Sequence, residues 1–98
     1  MEKIVWRAKI RDGMEREYVR RHDEIWPEMV KALKEAGICN YTIWKDGLEL
    51  FGYYECQKGS DYALKYQAEN PTVLRWEKSM EGIMDKYDSK PICVFVLD

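Results

Sequence analysis

A single histidine, His22, stands among 98 residues, and near neutral pH an unperturbed imidazole is the side chain that most readily both takes and gives a proton. Tyr18 precedes it by four residues, one helical turn, so the two rings share a face with Met14 and Ile25. That face is apolar, and a core histidine hydrogen-bonded to a tyrosine is the plain structural alternative to a catalytic one. The sign of any pKa shift stays open at this level. A helix end would favour the imidazolium, whereas Arg20 and Arg21 would oppose it. Farther along, Tyr41 is expected to face Gly52 across a hairpin. The missing side chain would leave a recess beside the ring for a small ligand, or would simply ease the twist of a sheet. Trp76 falls on an apolar helical stripe where packing is the default explanation, although its indole N–H still needs a partner. Seven Tyr and four Trp among these residues add hydrogen-bonding handles to large apolar bodies, which suits a ligand that is part apolar and part hydroxylated.

The elements that must position these rings follow from periodicity. Lys3–Lys9 alternates, with Ile4, Trp6 and Ala8 against Lys3, Arg7 and Lys9, and reads as a strand with one buried face. After Asp12-Gly13, the residues Met14, Tyr18, Ile25, Met29 and Leu33 recur at helical spacing up to Gly37, a suitable residue to end a helix. Pro27 divides this stretch into two helical pieces joined near Asp23–Trp26, with His22 near the end of the first. Ile38–Lys45 and Leu48–Cys56 flank Asp46-Gly47 and predict a hairpin closed by a two-residue type I′ turn. Its register pairs Tyr41 with Gly52 and Ile43 with Leu50, so Cys39, Tyr41, Ile43, Leu48, Leu50 and Tyr54 share a face and Thr42, Trp44, Phe51 and Tyr53 the other. Ser60-Asp61 opens a helix through Ala68. Asn70-Pro71 caps another that the stripe Val73, Trp76, Met80, Ile83 and Tyr87 carries to about Lys86. Pro91 then leads into a final strand, Ile92–Leu97. The order strand, helix, strand, strand, helix, strand is that of a ferredoxin-like split βαβ sandwich, an α+β fold with helices on one face of an antiparallel sheet. Aromatic side chains on the bare face predict a homodimer packed sheet to sheet.

Composition narrows the function classes. Sixteen basic and eighteen acidic side chains give a net charge of -2, without the positive field that binding to a phosphate backbone requires, so no nucleic acid is expected as partner. No apolar run approaches the roughly 18–20 residues of a membrane span, and Glu2, Lys3, Arg7 and Lys9 interrupt the place of a signal peptide's apolar stretch. The expectation is a single cytoplasmic domain over residues 1–98 with no membrane partner. Cys39, Cys56 and Cys93 are odd in number and far apart, which fits reduced thiols and neither a disulfide framework nor a zinc site. Glycine-rich phosphate loops, HExxH and a nucleophile elbow are missing as motifs. The Arg20-Arg21 pair reads as a solvated helix face.

The run Tyr18-Val19-Arg20-Arg21-His22-Asp23-Glu24-Ile25-Trp26-Pro27-Glu28-Met29 closely resembles the YxxRHxxIWPE signature of the L-rhamnose mutarotase family. Further resemblance lies at Gly37 with Asn40-Tyr41-Thr42-Ile43, at Arg75-Trp76 before Met80 and at Asp88–Pro91, so nearly the whole chain is covered. The resemblance implies a cofactor-free, cytoplasmic homodimer of the dimeric α/β-barrel type. Its substrate would be a small monosaccharide, L-rhamnose or a closely related deoxysugar, whose α and β anomers it interconverts. His22 then matches the family's proton donor, and Tyr18, Tyr41 and Trp76 match substrate-contacting positions. Glu77, the next residue, is counted with them, and it stands where the family commonly has a second tryptophan. A carboxylate in place of an indole bears on which sugar hydroxyls are recognised. The hairpin turn and the C-terminal segment also look shorter than is usual in the family.

Mutarotation needs the ring oxygen to gain a proton while the anomeric hydroxyl loses one, after which the open aldehyde rotates and the steps reverse. His22 is expected to protonate the ring oxygen, Tyr18 and Tyr41 to bond sugar hydroxyls, and Trp76 to pack on an apolar face or the methyl group. Glu77 and Glu28 are candidates for the complementary base. Two other readings compete. One is another cofactor-free enzyme of the same fold, such as an oxygenase, and the other is a non-catalytic sugar-binding or dimerisation module.

Overall fold

The computed structural model describes residues 1–98. Strand β1 (Glu2–Ile10) is followed by helices α1 (Glu15–Asp23) and α2 (Pro27–Glu35), then by the hairpin β2 (Ile38–Asp46) and β3 (Glu49–Cys56). Helices α3 (Ser60–Glu69) and α4 (Pro71–Ser79) and the short strand β4 (Met84–Lys86) complete the order. The strands form one antiparallel sheet in the order β2-β3-β1-β4. That is the ferredoxin-like arrangement expected from the element order.

One face of this sheet is covered. Ala8 and Ile10 of β1 and Leu50 of β3 are fully enclosed, and they pack with Tyr18 of α1, Met29 and Ala32 of α2 and Val73 and Trp76 of α4. A second cluster joins Ile38, Tyr54 and Cys56 to Ala36 and to Ala63 of α3. Two of the helices, α2 and α4, start at the residues that predicted them. Trp26 is extended (ψ 135°) before Pro27, which separates α1 from α2. The Asn70 side-chain oxygen accepts from the backbone N–H groups of Thr72 (2.9 Å) and Val73 (3.1 Å), a cap of the kind that contributes about 1 kcal/mol. On the opposite face of the sheet Val5, Trp44 and Phe51 are exposed.

Three expectations are corrected. The hairpin pairs Asp46 with Glu49, so Gly47-Leu48 and not Asp46-Gly47 forms its tip. Gly47 has φ 61° while Leu48 does not enter positive φ, the pattern of a type II′ turn. Gly52 therefore faces Ile43, not Tyr41, and a bulge between Cys39 and Thr42, with Asn40 at φ 50°, turns Cys39 to the opposite face from Tyr41. The last helix ends at Ser79, not near Lys86: Gly82 (φ 84°) turns the chain, and Met80 and Ile83 stay buried although they lie beyond the helix. An apolar stripe thus continued where the helix did not.

The third correction concerns the final strand. Met84–Lys86 takes the place beside Ala8–Ile10 of β1, and residues 87–98 carry no helix or strand. Ile92, Val94, Phe95 and Leu97 are exposed. The edge of β1 at Ala8–Ile10 is occupied by the segment leaving the Gly82 turn, so the β-branched run finds no partner strand in its own chain. No helix is long and apolar enough to cross a membrane.

Candidate active site

Between the sheet and the helices lies an open cavity of about 840 Å³, within the ~300–1,000 Å³ common for small-molecule sites. His22, Tyr18, Tyr41, Trp76 and Glu77 all line it. Residues 18 to 77 in sequence are thus brought to one hollow by α1, β2 and α4.

Helix α1 aims the first two rings. Tyr18 and His22 stack with centroids 4.3 Å apart, and His22 Nδ1 lies 3.0 Å from the Tyr18 carbonyl oxygen. A carbonyl only accepts, so Nδ1 carries the proton, and in the neutral ring Nε2 keeps its lone pair. Trp76 meets the imidazole edge-on at 5.4 Å and is itself backed by Trp26 at 5.2 Å. Burial among these rings pushes the imidazole pKa below its ordinary 6.5; the Tyr18 carbonyl and the Asp23 carboxylate oppose that shift. Burial, not the helix end or the arginines, decides the sign. Glu77, Lys78 and Glu81, with Lys45 and Lys86 from the sheet, complete the cavity wall as its charged side chains together with Asp23. Glu77 and Lys86 pair at 3.8 Å, and both are more than half exposed.

Arg21 fixes α1 to α4. Its Nε donates to Glu17 (2.7 Å) and its Nη1 to the Ser79 carbonyl at the end of α4. Only Arg20 fits the expected solvated face, where it pairs with Glu17 and Glu24. The clamp links the helix bearing His22 to the helix bearing Trp76.

Tyr18 is 3 % exposed, and its hydroxyl is buried with no hydrogen-bond partner. Burial pushes its phenol pKa up, as it does for Tyr41, so both remain O–H groups at neutral pH. Tyr41 rests against Tyr54 (centroids 4.9 Å), and its hydroxyl accepts from Trp6 Nε1 at 2.9 Å. The recess at Gly52 exists but is filled by the Trp6 indole, since a Cβ there would lie 2.0 Å from Trp6 Cε2. Glu28 is exposed in the first turn of α2 and does not line the cavity. No group of three or more His, Cys, Asp or Glu side chains is set to hold a metal ion.

A family model described as L-rhamnose mutarotase matches residues 3–93. The chain belongs to that family. L-rhamnose mutarotases from Sinorhizobium fredii and Acidiphilium cryptum are 39% and 38% identical to it. The alignments cover 96% and 86% of this chain and 91% and 81% of the relatives. The crystal structure of an L-rhamnose mutarotase from Formosa agariphila superposes with a TM-score of 0.84 at 26% identity, covering 100% of both chains. A dimeric ferredoxin-like protein from an uncultured marine organism shares the fold, with a TM-score of 0.60 at 12% identity over 97% of both chains. These findings bear out the resemblance read from residues 18–29.

Within this mutarotase-family site, sequence reasoning missed Trp6, Gln67 and the lysines of the cavity wall. Trp6 carried a signal, its place on the apolar face of β1. Gln67, whose Nε2 donates to the Tyr54 hydroxyl at 3.2 Å, carried none. The unpartnered Tyr18 hydroxyl gives a prediction for the free protein. Removing a buried, unsatisfied group relieves a penalty of about 1–3 kcal/mol, so Tyr18→Phe should melt at or above the parent temperature in a thermal unfolding scan. A fall of several degrees would mean that the hydroxyl has a partner.

Proposed function

We propose that residues 1–98 act as one L-rhamnose mutarotase domain, an isomerase that interconverts the α and β anomers of L-rhamnose. His22 is the proton-transfer residue, and Tyr18, Tyr41, Trp76 and Glu77 contact the sugar. The observation that carries this reading is the chain's one imidazole, committed through Nδ1 to the helix backbone, on the wall of a cavity shared with an unpartnered phenol.

Neutral at physiological pH, His22 begins as a base. Nε2 takes the proton of the anomeric hydroxyl while the electron pair of that O–H bond forms the carbonyl and the bond from the anomeric carbon to the ring oxygen breaks. The imidazolium so formed then gives the proton to the ring oxygen. Both oxygens are attached to one carbon, so a single nitrogen can serve each with a small shift. Rotation of the free aldehyde presents its other face, and the same steps run backward to the opposite anomer. Such a shuttle balances without a carboxylate base, leaving Glu77 to hold hydroxyls from the cavity wall. Tyr18 supplies a hydroxyl that has no protein partner, and Trp76 supplies an apolar wall for a sugar ring face or methyl group.

We further propose that the protein is a cytoplasmic homodimer in which a second copy covers the exposed Trp44 and Phe51 of the sheet and the apolar run Ile92–Leu97. Light scattering should give twice the mass of the chain, 11.7 kDa; a monomer at working concentration would contradict the dimer and leave the site untouched.

Saturation-transfer NMR of L-rhamnose, with L-fucose and D-ribose in parallel, tests the activity. Added protein should speed exchange between the L-rhamnose anomers, and His22→Ala, still folded by circular dichroism, should lose about 10²–10⁴-fold of that catalysis. Saturable binding without faster exchange would leave a sugar-binding module instead. The catalysed rate should also depend on pH in a stated direction. Because the base form is required and the folded pKa lies below 6.5, the rate stays level from about pH 8 to about 6.5 and falls only in more acidic solution. A rate that climbs as pH drops through that range would assign the starting proton to His22 as imidazolium.

A further inference from the structure

Trp6 starts on β1 and ends beside a residue of β2, two strands away. In the sheet order β2-β3-β1 the strand between them presents Gly52, paired directly with Trp6 on one side and with Ile43 on the other. An indole can cross β3 only where no side chain stands in the way. At position 52 a Cβ would fall 2.0 Å from Trp6 Cε2, 2.2 Å from Nε1 and 2.5 Å from Cζ2, so a side chain there and the indole could not both keep their places. The glycine is therefore a notch shaped to this ring.

What the indole reaches is the Tyr41 hydroxyl, at 2.9 Å from Nε1. An indole N–H only donates, so it occupies a lone pair of the phenol and leaves the phenol's own proton unused. Both residues line the cavity. We propose that Trp6 is a positioning residue of the sugar site: lying in the Gly52 notch, it holds the Tyr41 oxygen so that the phenolic proton is presented to a sugar oxygen. This rests on the mutarotase reading above and assigns one hydrogen bond of that site a direction, from Tyr41 to substrate. Tyr54 supports the same ring from its side at 4.9 Å, and the Lys86 ammonium lies 5.5 Å over the indole. The indole is thus held from the side of the cation as well as from the strand beneath.

The consequence is a substrate-binding effect transmitted through Tyr41. The test compares Tyr41→Phe, Trp6→Phe and the double variant for L-rhamnose anomer exchange as a function of sugar concentration. Tyr41→Phe should raise KM by about 3- to 10-fold, the worth of one hydrogen bond, with kcat less affected. Trp6→Phe should raise KM by a similar factor. The double variant should be no worse than either single one, since both remove the same contact. Multiplying effects, or a parental KM in Trp6→Phe, would overturn the inference while leaving the mutarotase reading intact; no catalysed exchange by the parent protein would overturn that reading itself. A measurement that does not depend on the folding of Trp6→Phe is the NMR signal of the Trp6 indole N–H. In Tyr41→Phe it should move upfield and exchange faster with water, and an unchanged signal would show that the bond does not form.

Discussion

An imidazole that gives its Nδ1 proton to the carbonyl one turn before it has a single nitrogen left for anything else. In this protein the contact between His22 and the Tyr18 carbonyl, 3.0 Å long, determines the tautomer, the ring's orientation and which ring nitrogen is left free. The Tyr18 ring stacks on the same imidazole and shares its cavity, so one helical turn places an imidazole and a phenol on one cavity wall. The i, i+4 spacing does this only if α1 keeps its rotation relative to the sheet. Arg21 provides that restraint by tying α1 to the last carbonyl of α4, whose Trp76 closes over the imidazole.

Opposite the helices, the sheet contributes shape and polarity through the residues it omits as much as those it presents. Gly52 opens a notch in β3, Trp6 fills it, and the indole fastens the hydroxyl of Tyr41 on the far strand. The sheet wall of the cavity thereby presents the Tyr41 hydroxyl beside the apolar side chains of Ile43 and Leu50, with Lys45 and Lys86 as its charged groups. A hydroxylated ring with an apolar face or methyl group would match such a lining, which offers phenols to hydroxyls and the Trp76 indole to carbon surface.

Much of this was readable from residue types and spacing. The division of the first helical stretch at Pro27, the Asn70 cap and the convergence of His22 with Tyr18 follow from local rules that act within a few residues. The resemblance beyond the signature pointed to Tyr41 and Trp76, with Glu77 beside them as a departure from the family pattern, and all three line one cavity. Non-local features were not legible. A turn displaced by one residue changed which residue faces Gly52, and a bulge near Asn40 turned Cys39 to the other face, since register depends on two strands at once. The apolar stripe of α4 ran past the helix because Met80 and Ile83 are buried by the following turn equally well. Likewise the β-branched run near the C-terminus has the propensity of a strand, and propensity does not supply a neighbour.

The imidazole rests neutral and protonated on Nδ1, with Nε2 left free. Because His22 is the chain's only histidine, NMR of the imidazole nitrogens in isotope-labelled protein reads it without ambiguity. At neutral pH the two signals should report a protonated Nδ1 and an unprotonated Nε2, and titration with L-rhamnose should move the Nε2 signal more than its partner. An Nε2-protonated ring, or a pair of nitrogen signals indifferent to the sugar, would contradict the account.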